Sequence, residues 1–113
     1  MICESRDAPG GSWRSRYPSL CLHDPVWYDH MPYIPLPPSW PVFTPRDKMA
    51  DYLESYARLM DLTVSARTTV RRASRPASGL GWTVEIEHAG SDSDDPRLET
   101  LECAHLVFAT GMS

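Results

Sequence analysis

The chain has 113 residues and a formal net charge of −4. An acidic chain with no basic run denser than Arg71-Arg72 excludes a surface that tracks nucleic-acid phosphates. No apolar run approaches the roughly 18 residues of a membrane span, and charged Glu4, Arg6 and Asp7 stand where a signal peptide would be apolar. Length and composition therefore predict one soluble, cytoplasmic domain or part of one.

Three cysteines, Cys3, Cys21 and Cys103, are odd in number and far apart in the sequence. This spacing gives neither a disulfide framework nor a paired metal or redox motif. Buried free thiols are the expectation.

The first residues, Ile2-Cys3-Glu4, have the character of the end of a strand. In a dinucleotide-binding fold, the second strand ends in an acidic residue roughly 20 residues after the glycine fingerprint, and this acid binds the ribose hydroxyls. Glu4 is placed for that role. The alternative is a solvated acid at a strand end.

A turn through Pro9, Gly10 and Gly11 follows, and Trp13 comes directly after it. Two glycines permit positive φ or a close approach of the backbone to a ligand, and Trp13 would offer a flat face to that ligand. A turn without a ligand is the alternative. The expected G-x-G-x-x-G, with its strand and helix, would lie upstream of Met1, so we expect a cofactor domain without its first βα unit.

Residues 18–44 form a proline-rich, aromatic segment, which we call the wrap. Eight of the eleven prolines of the chain lie between Pro18 and Pro45, which disfavours regular helix or a central strand. The wrap is too apolar for a solvated linker, so we expect it to be held on a body or a ligand. Its large apolar residues are Trp27, Tyr28, Tyr33, Ile34, Trp40 and Phe43.

A helix is predicted over residues 45–60. Thr44 suits the cap, Pro45 the first helical position and Asp47 the first turn. Three- and four-residue spacings place one apolar face on this helix, with Tyr52 and Tyr56 as core residues. The residues of that face are Met49, Tyr52, Leu53, Tyr56, Leu59 and Met60.

An antiparallel β-meander is predicted over residues 62–103, with turns at 79–81 and a polar loop at 89–96. Residues 106–111 form a continuous apolar run that ends in Ala109-Thr110-Gly111. Such a run is typical of a parallel strand that is buried on both faces and whose carboxyl end meets a ligand.

Two acidic clusters raise the question of a metal. His23, Asp24, Asp29 and His30 fit no familiar ligand spacing. Asp92, Asp94 and Asp95 lack the other positions of a calcium loop. We therefore predict no metal site.

Taken in order, these segments resemble the flavin-containing monooxygenases and their Baeyer-Villiger relatives. Ile2-Cys3-Glu4 with Gly10-Gly11-Ser12-Trp13-Arg14 is similar to that family's second strand and Gly-Gly-x-Trp turn. Residues 16–35 and the helix entry Trp40 to Lys48 are similar to the segment that lines the flavin. Ala109-Thr110-Gly111 is similar to the Ala-Thr-Gly that follows the family's meander.

The resemblance implies an α/β, partial FAD-binding, Rossmann-like domain with a three-stranded antiparallel meander. It also implies an enzyme in which NADPH reduces FAD and the flavin oxygenates a small organic substrate, with no catalytic side chain from this chain. Its implied cofactor contacts are Glu4 at the ribose, Gly10, Gly11, Trp13 and Arg14 along the FAD, His23 or Asp24 near the isoalloxazine, Val70 at the adenine, and Ala109, Thr110 and Gly111 on the pyrophosphate side.

The sequence departs from that family because it contains neither glycine fingerprint, for FAD or for NADPH. Without the helix N-terminus that binds the pyrophosphate, we expect a fragment that holds FAD poorly and is inactive alone. A rival interpretation is an interaction module, since Pro32 to Pro35 and Pro38 to Pro41 both have P-x-x-P spacing. A non-catalytic remnant is a third.

Overall fold

The computed structural model describes residues 1–90 and 95–111, which fall into two units, Met1–Ala66 and Arg67–Ser113. Each unit is built differently and is taken by itself. The elements, in chain order, are β1 (Ile2–Cys3), α1 (Gly11–Arg14), β2 (Cys21–Pro25), β3 (Phe43–Pro45), α2 (Arg46–Leu59), β4 (Val64–Ser65), β5 (Thr68–Ser74), β6 (Trp82–His88) and β7 (Arg97–Cys103).

In the first unit, β1 and β4 form a parallel pair in which Ile2 lies opposite Val64 and Cys3 opposite Ser65. A parallel pair needs a crossover connection, and the chain between these strands contains α2. Residues 64–65 therefore belong to this pair. Their predicted place at the start of the meander is wrong.

The wrap contains one strand pair, although its prolines disfavour regular structure. β2 and β3 pair antiparallel, with Cys21 opposite Pro45 and Pro25 opposite Phe43. Both prolines terminate their strands in a two-stranded ribbon, where a missing donor costs little. This ribbon leaves Cys21 exposed, and Cys3 and Cys103 are only half-buried. The prediction of free thiols is confirmed, but the prediction that they are buried is wrong.

α2 begins and ends within one residue of its predicted limits, but its start differs in detail. Pro45 is the N-cap, and no side chain caps the helix. Thr44 is fully buried, and its hydroxyl has no hydrogen-bond partner among the described residues. The prediction that Thr44 caps the helix is therefore wrong, because the strand geometry of β3 carries that residue inward.

The core of the first unit lies on one face of α2. Met49, Tyr52 and Tyr56 pack there against Val26 and Leu36 of the wrap. Leu59 is 69% exposed, so the apolar face is shorter than predicted. Partly buried residues that complete this cluster are Trp13, Leu22, Ile34, Trp40 and Leu53.

The second unit is a three-stranded antiparallel sheet in the order β5-β6-β7, as predicted for the meander. Val84 and Ile86 of β6 are buried while Glu85 between them is exposed, which is the alternation of a half-buried strand. The turn into β6 uses Gly79 and Gly81, both with positive φ. A Cβ atom on Gly81 would lie 2.6 Å from the carbonyl oxygen of Cys103.

One irregularity interrupts β5. Val70 lies opposite Ile86 and Arg72 lies opposite Glu85, so the pairing shifts by one residue at Arg71. This is the arrangement of a β-bulge, in which one residue has no partner of its own on the neighbouring strand. Residues 91–94 of the predicted polar loop at 89–96, which include Asp92 and Asp94, lie outside the described residues.

Residues 106–111 do not form the predicted buried strand. They have no strand pairing within the described part of the chain, and Val107 and Phe108 are 83% and 74% exposed. A central parallel strand requires hydrogen-bonding neighbours on both edges and cover on both faces. The described residues supply neither, so the apolar pattern alone was not sufficient to define this strand.

Candidate functional site

The carboxyl end of β1 carries the first predicted site residue. The backbone N–H of Glu4 donates to the carbonyl of Ser65 at 2.9 Å, which extends the parallel pair by one residue. The Glu4 carboxylate then accepts a hydrogen bond from the N–H of Arg6 through Oε1, also at 2.9 Å. The acid is thus fixed at a strand end with its second oxygen available.

The Gly-Gly turn has a packing role. Gly10 has φ +83°, and a Cβ atom there would lie 2.6 Å from the carbonyl oxygen of Ala50 on α2. A Cβ on Gly11 would lie 2.8 Å from the side chain of Arg6. These contacts explain both glycines through the close packing of the turn and α1, independently of any ligand.

The two residues that follow the turn are also held by α2. Trp13 packs against the core cluster of the first unit. Arg14 donates through Nη2 to Asp51 at 2.8 Å and to Glu54 at 2.9 Å. These hydrogen bonds, first to Asp51 and then to Glu54, raise the pKa of Arg14. The main contacts of Trp13 and Arg14 in this structure are therefore internal.

The buried hydroxyl of Tyr52 fastens the wrap to α2. It accepts a hydrogen bond from the N–H of Met31 at 2.7 Å and donates to the carbonyl of Ile34 at 2.6 Å. Burial raises the pKa of Tyr52, and the hydrogen bond from Met31 partly opposes that shift. The sequence indicated Tyr52 as a core residue, but helical periodicity carries no information about its hydroxyl.

The two bonds of Tyr52 flank Tyr33, which has φ +73° and is 88% exposed. A positive φ is costly for a bulky residue and persists only where its surroundings impose it. Trp27 and Tyr28 are also exposed, with ring centroids 6.3 Å apart in an edge-on arrangement. The wrap is thus fixed on its inner side by Tyr52 and the core and presents aromatic rings outward.

Acidic and imidazole side chains lie along β2 and the turn after it. His23 and Asp24 are exposed on β2. Asp29 is half-buried, and its Oδ2 is inaccessible and has no hydrogen-bond partner among the described residues. Burial raises the pKa of Asp29, and the charge of Asp24 raises it further. Within residues 1–90 and 95–111, no three His, Cys, Asp or Glu side chains are grouped to hold a metal.

A groove of about 480 Å³ lies beside the Gly-Gly turn in the first unit. Its lining combines apolar residues with one basic and two acidic side chains, so it indicates no single ligand class. The lining residues are Pro9, Glu54, Ala57, Arg58, Asp61, Leu62 and Val64.

The remaining predicted residues belong to the second unit. Val70 lies on the outer strand β5 and is 41% exposed. Ala109, Thr110 and Gly111 are exposed, and Gly111 has φ +75°. Glu4, Gly10, Gly11, Trp13, Arg14, His23 and Asp24 all belong to the first unit. The predicted contacts thus divide between the units.

A row of hydrogen-bonded polar side chains crosses the meander, and the sequence patterns did not reveal this row. Glu99 lies 2.7 Å from Nε2 of His88, and Nδ1 of His88 lies 3.1 Å from the hydroxyl of Thr68. Carboxylate, imidazole and hydroxyl in this order resemble the groups that activate a nucleophile. Thr68 is only 1% exposed, so a substrate cannot reach its hydroxyl. These three side chains therefore form a structural hydrogen-bond network.

Comparison with known proteins gives consistent relatives. The chain is 29% identical over 111 residues to the indole-3-pyruvate monooxygenase YUCCA1 of Oryza sativa subsp. japonica, covering 97% of this chain and 25% of that protein. A solved flavin-containing monooxygenase from Stenotrophomonas maltophilia superposes with a TM-score of 0.68 at 26% identity, covering 87% of this chain and 28% of the other. The homologues of the present chain are thus flavin monooxygenases.

A shorter match extends the same group. Over 61 residues the chain is 38% identical to an uncharacterized CzcO-like oxidoreductase of Geobacillus kaustophilus, covering 54% of this chain and 18% of that protein. No family model matches the sequence. The chain spans about a quarter of the length of the rice monooxygenase. No helix of the described residues is long and apolar enough to cross a membrane.

Proposed function

We propose that this chain is part of the FAD-binding portion of a monooxygenase that uses NADPH to oxygenate a small organic molecule. The observation that carries the proposal is the position of Glu4, at the carboxyl end of a parallel strand in a chain homologous to flavin monooxygenases. Ligands of open α/β sheets bind outside the carboxyl ends of the strands. The second carboxylate oxygen of Glu4 fits the ribose hydroxyl of FAD.

The residues of the chain fit the cofactor unequally. His23 and Asp24 are exposed on β2 and suit contacts to a flavin. Gly10 and Trp13 are explained by packing on α2, so we propose that they shape the turn that positions Glu4. When bound, FAD would supply hydride acceptance and oxygen activation, while these residues bind and orient it.

The Rossmann-like assignment is supported by the connection between β1 and β4. In the strand order 3-2-1-4 of the doubly wound fold, β4 and β1 correspond to strands 3 and 2, and residues 106–111 correspond to strand 4. Strand 1, which carries the glycine fingerprint, would separate strands 2 and 4. We propose that this first βα unit lies outside these 113 residues, and that residues 106–111 form a strand only in its presence.

Because the sequence holds no glycine fingerprint, we propose weak FAD binding and no turnover by this chain alone. A titration of the purified chain with FAD, followed by flavin fluorescence, measures the affinity. Glu4→Ala should weaken the binding about tenfold, the effect of one lost charge-assisted hydrogen bond, whereas Glu85→Ala on the exposed side of β6 should not. Equal affinity of wild type and Glu4→Ala contradicts the ribose assignment. NADPH oxidation by the flavin-supplemented chain contradicts the proposed inactivity.

The proline-rich interaction module is supported by one observation. Pro32, Pro35, Pro38 and Pro41 are exposed at intervals of three residues, the repeat of a polyproline II helix. Against it, Leu36 is buried and Tyr52 fixes the turn around Tyr33. Rapid proteolytic cleavage between Met31 and Trp40 would favour the module, and protection would favour the wrap of an enzyme.

A further inference from the structure

The loop between β5 and β6, residues 75–81, lies within a strongly basic stretch. Residues 62–84 contain Arg67, Arg71, Arg72 and Arg75 and no acidic residue, in a chain whose net charge is −4. Two serines of this stretch, Ser74 and Ser78, each have an arginine three residues before them. Such spacing suits a protein kinase whose acidic pocket binds a guanidinium beside the phosphoacceptor, because carboxylate and guanidinium form strong paired hydrogen bonds.

The structure distinguishes the two serines. Ser74 is the last residue of β5, lies opposite Thr83 of β6 and is half-buried. Ser78 is exposed in a turn that is closed by a 2.9 Å hydrogen bond from the N–H of Gly79 to the carbonyl of Pro76. A kinase must draw several residues around the acceptor into its cleft, which an exposed loop tip allows and a paired strand resists.

We propose that Ser78 is a phosphorylation site for a kinase that recognises Arg75. The Oγ atom of Ser78 would attack the γ-phosphorus of ATP, and the bond from that phosphorus to the bridging oxygen would break. ADP would leave with the bond electrons, and the hydroxyl proton would pass to the base of the kinase. The product would be a phosphoserine ester with a charge of about −1.5 to −2 at neutral pH.

The phosphate would compete for a side chain that now has another role. The guanidinium of Arg75 lies 4.1 Å from the centroid of the Trp82 ring, and its Nη1 donates to the carbonyl of Gly81 at 3.1 Å. A phosphate three residues away offers a stronger, doubly charged acceptor. Phosphorylation would therefore draw Arg75 away from Trp82 and loosen the closure of the loop.

The test compares the folded chain with an unstructured peptide of residues 68–82, each treated with the catalytic subunit of cyclic-AMP-dependent protein kinase and MgATP. Mass spectrometry locates the phosphate. In the folded chain we expect phosphate on Ser78, removed by Ser78→Ala and unaffected by Ser74→Ala. In the peptide we expect Ser74 to be modified as well, since the strand no longer protects it.

Two further variants test the role of Arg75. Arg75→Gln should slow the modification of Ser78 about tenfold through loss of one charged contact to the kinase, whereas Arg67→Gln should not. Phosphorylation should also change the tryptophan emission of the wild type but not of Arg75→Gln. Phosphate on Ser74 alone in the folded chain, or an unmodified folded chain beside a modified peptide, would overturn the proposal. Failure to modify either sample would overturn it too.

Discussion

The two units of this chain reach stability by different routes. In Met1–Ala66, the proline-rich wrap is held on α2 by a few side chains, above all by Tyr52. In Arg67–Ser113, three neighbouring strands are joined by long backbone hydrogen-bond ladders, with one bulge in β5. A single substitution should therefore disturb the first unit more than the second, because a ladder distributes its hydrogen bonds over many residues.

The largest difference is expected from a pair of glycine substitutions. Gly10 and Gly79 have φ of +83° and +72°, but a Cβ on Gly10 would meet the Ala50 backbone at 2.6 Å, whereas nothing lies within 4 Å of one on Gly79. Gly79→Ala should cost about 1 to 2 kcal/mol of stability from the backbone conformation alone. Gly10→Ala should cost about 3 kcal/mol or more, because overpacking adds to the same strain. Equal losses in urea denaturation would show that the contact with Ala50 is not restrictive.

Tyr52→Phe comes next. It removes a hydroxyl and leaves the N–H of Met31 and the carbonyl of Ile34 without their partner, which should cost about 2 kcal/mol. The expected signs are a lower unfolding midpoint and faster proteolysis between Met31 and Trp40. Tyr28→Phe, at a ring that is 75% exposed, is the matched control. If both variants unfold alike, the wrap is held by its apolar contacts alone.

Asp29→Asn should stabilise the first unit. Because burial raises the pKa of Asp29, the folded chain holds its proton more tightly than the unfolded chain does. The folded state therefore loses stability as pH rises from the ordinary aspartate pKa through the raised one. The gain from the variant should be below about 1 kcal/mol at neutral pH and vanish in acid. Asp95→Asn, at an exposed position of the second unit, is the matched control variant. A gain from Asp29→Asn that is equal at every pH would contradict this assignment.

The smallest effects are expected at two exposed ion pairs, one in each unit. Arg14 lies 2.8 Å from Asp51, and Arg71 lies 2.7 Å from Glu87. Arg14→Gln and Arg71→Gln should each lower the stability only slightly, because water and salt screen such pairs. The difference from wild type should shrink further at high salt. In 1 M NaCl the Debye length falls to about 3 Å. A loss of stability that persists there would indicate that packing of the arginine stem matters.

The parts of the fold that sequence predicted are those with local patterns. Helical spacing and alternation lie within a few residues of one another, so α2 and the meander were recognisable. The pairing of β1 with β4 joins residues about sixty positions apart and was not. Residues 106–111 show the opposite failure, since an apolar run signals a buried strand but does not supply the neighbouring strands that make one.

For the candidate site, residue type was more informative than role. The strand-end position of Glu4 followed from the sequence, and the structure agrees. The packing of Gly10 on Ala50 could not be predicted, because the sequence does not show which backbone a glycine approaches. The hydroxyl bonds of Tyr52 and the unpartnered oxygen of Asp29 depend on tertiary contacts. No spacing rule encodes them.

The bulge in β5 has a consequence for the evolution of this strand. With Arg71 outside the pairing, Val70 and Ala73 lie opposite Ile86 and Val84 on one face, and Arg71 bonds Glu87 on the other. Loss of Arg71 would leave Val70, Arg72 and Ala73 in simple alternation, with every remaining side chain on its present face. Loss of a residue outside the Arg71-Arg72 pair would instead exchange the two faces beyond that point. Because removal of Arg71 and removal of Arg72 give the same sequence, a codon deletion within this pair is a change that the sheet can absorb.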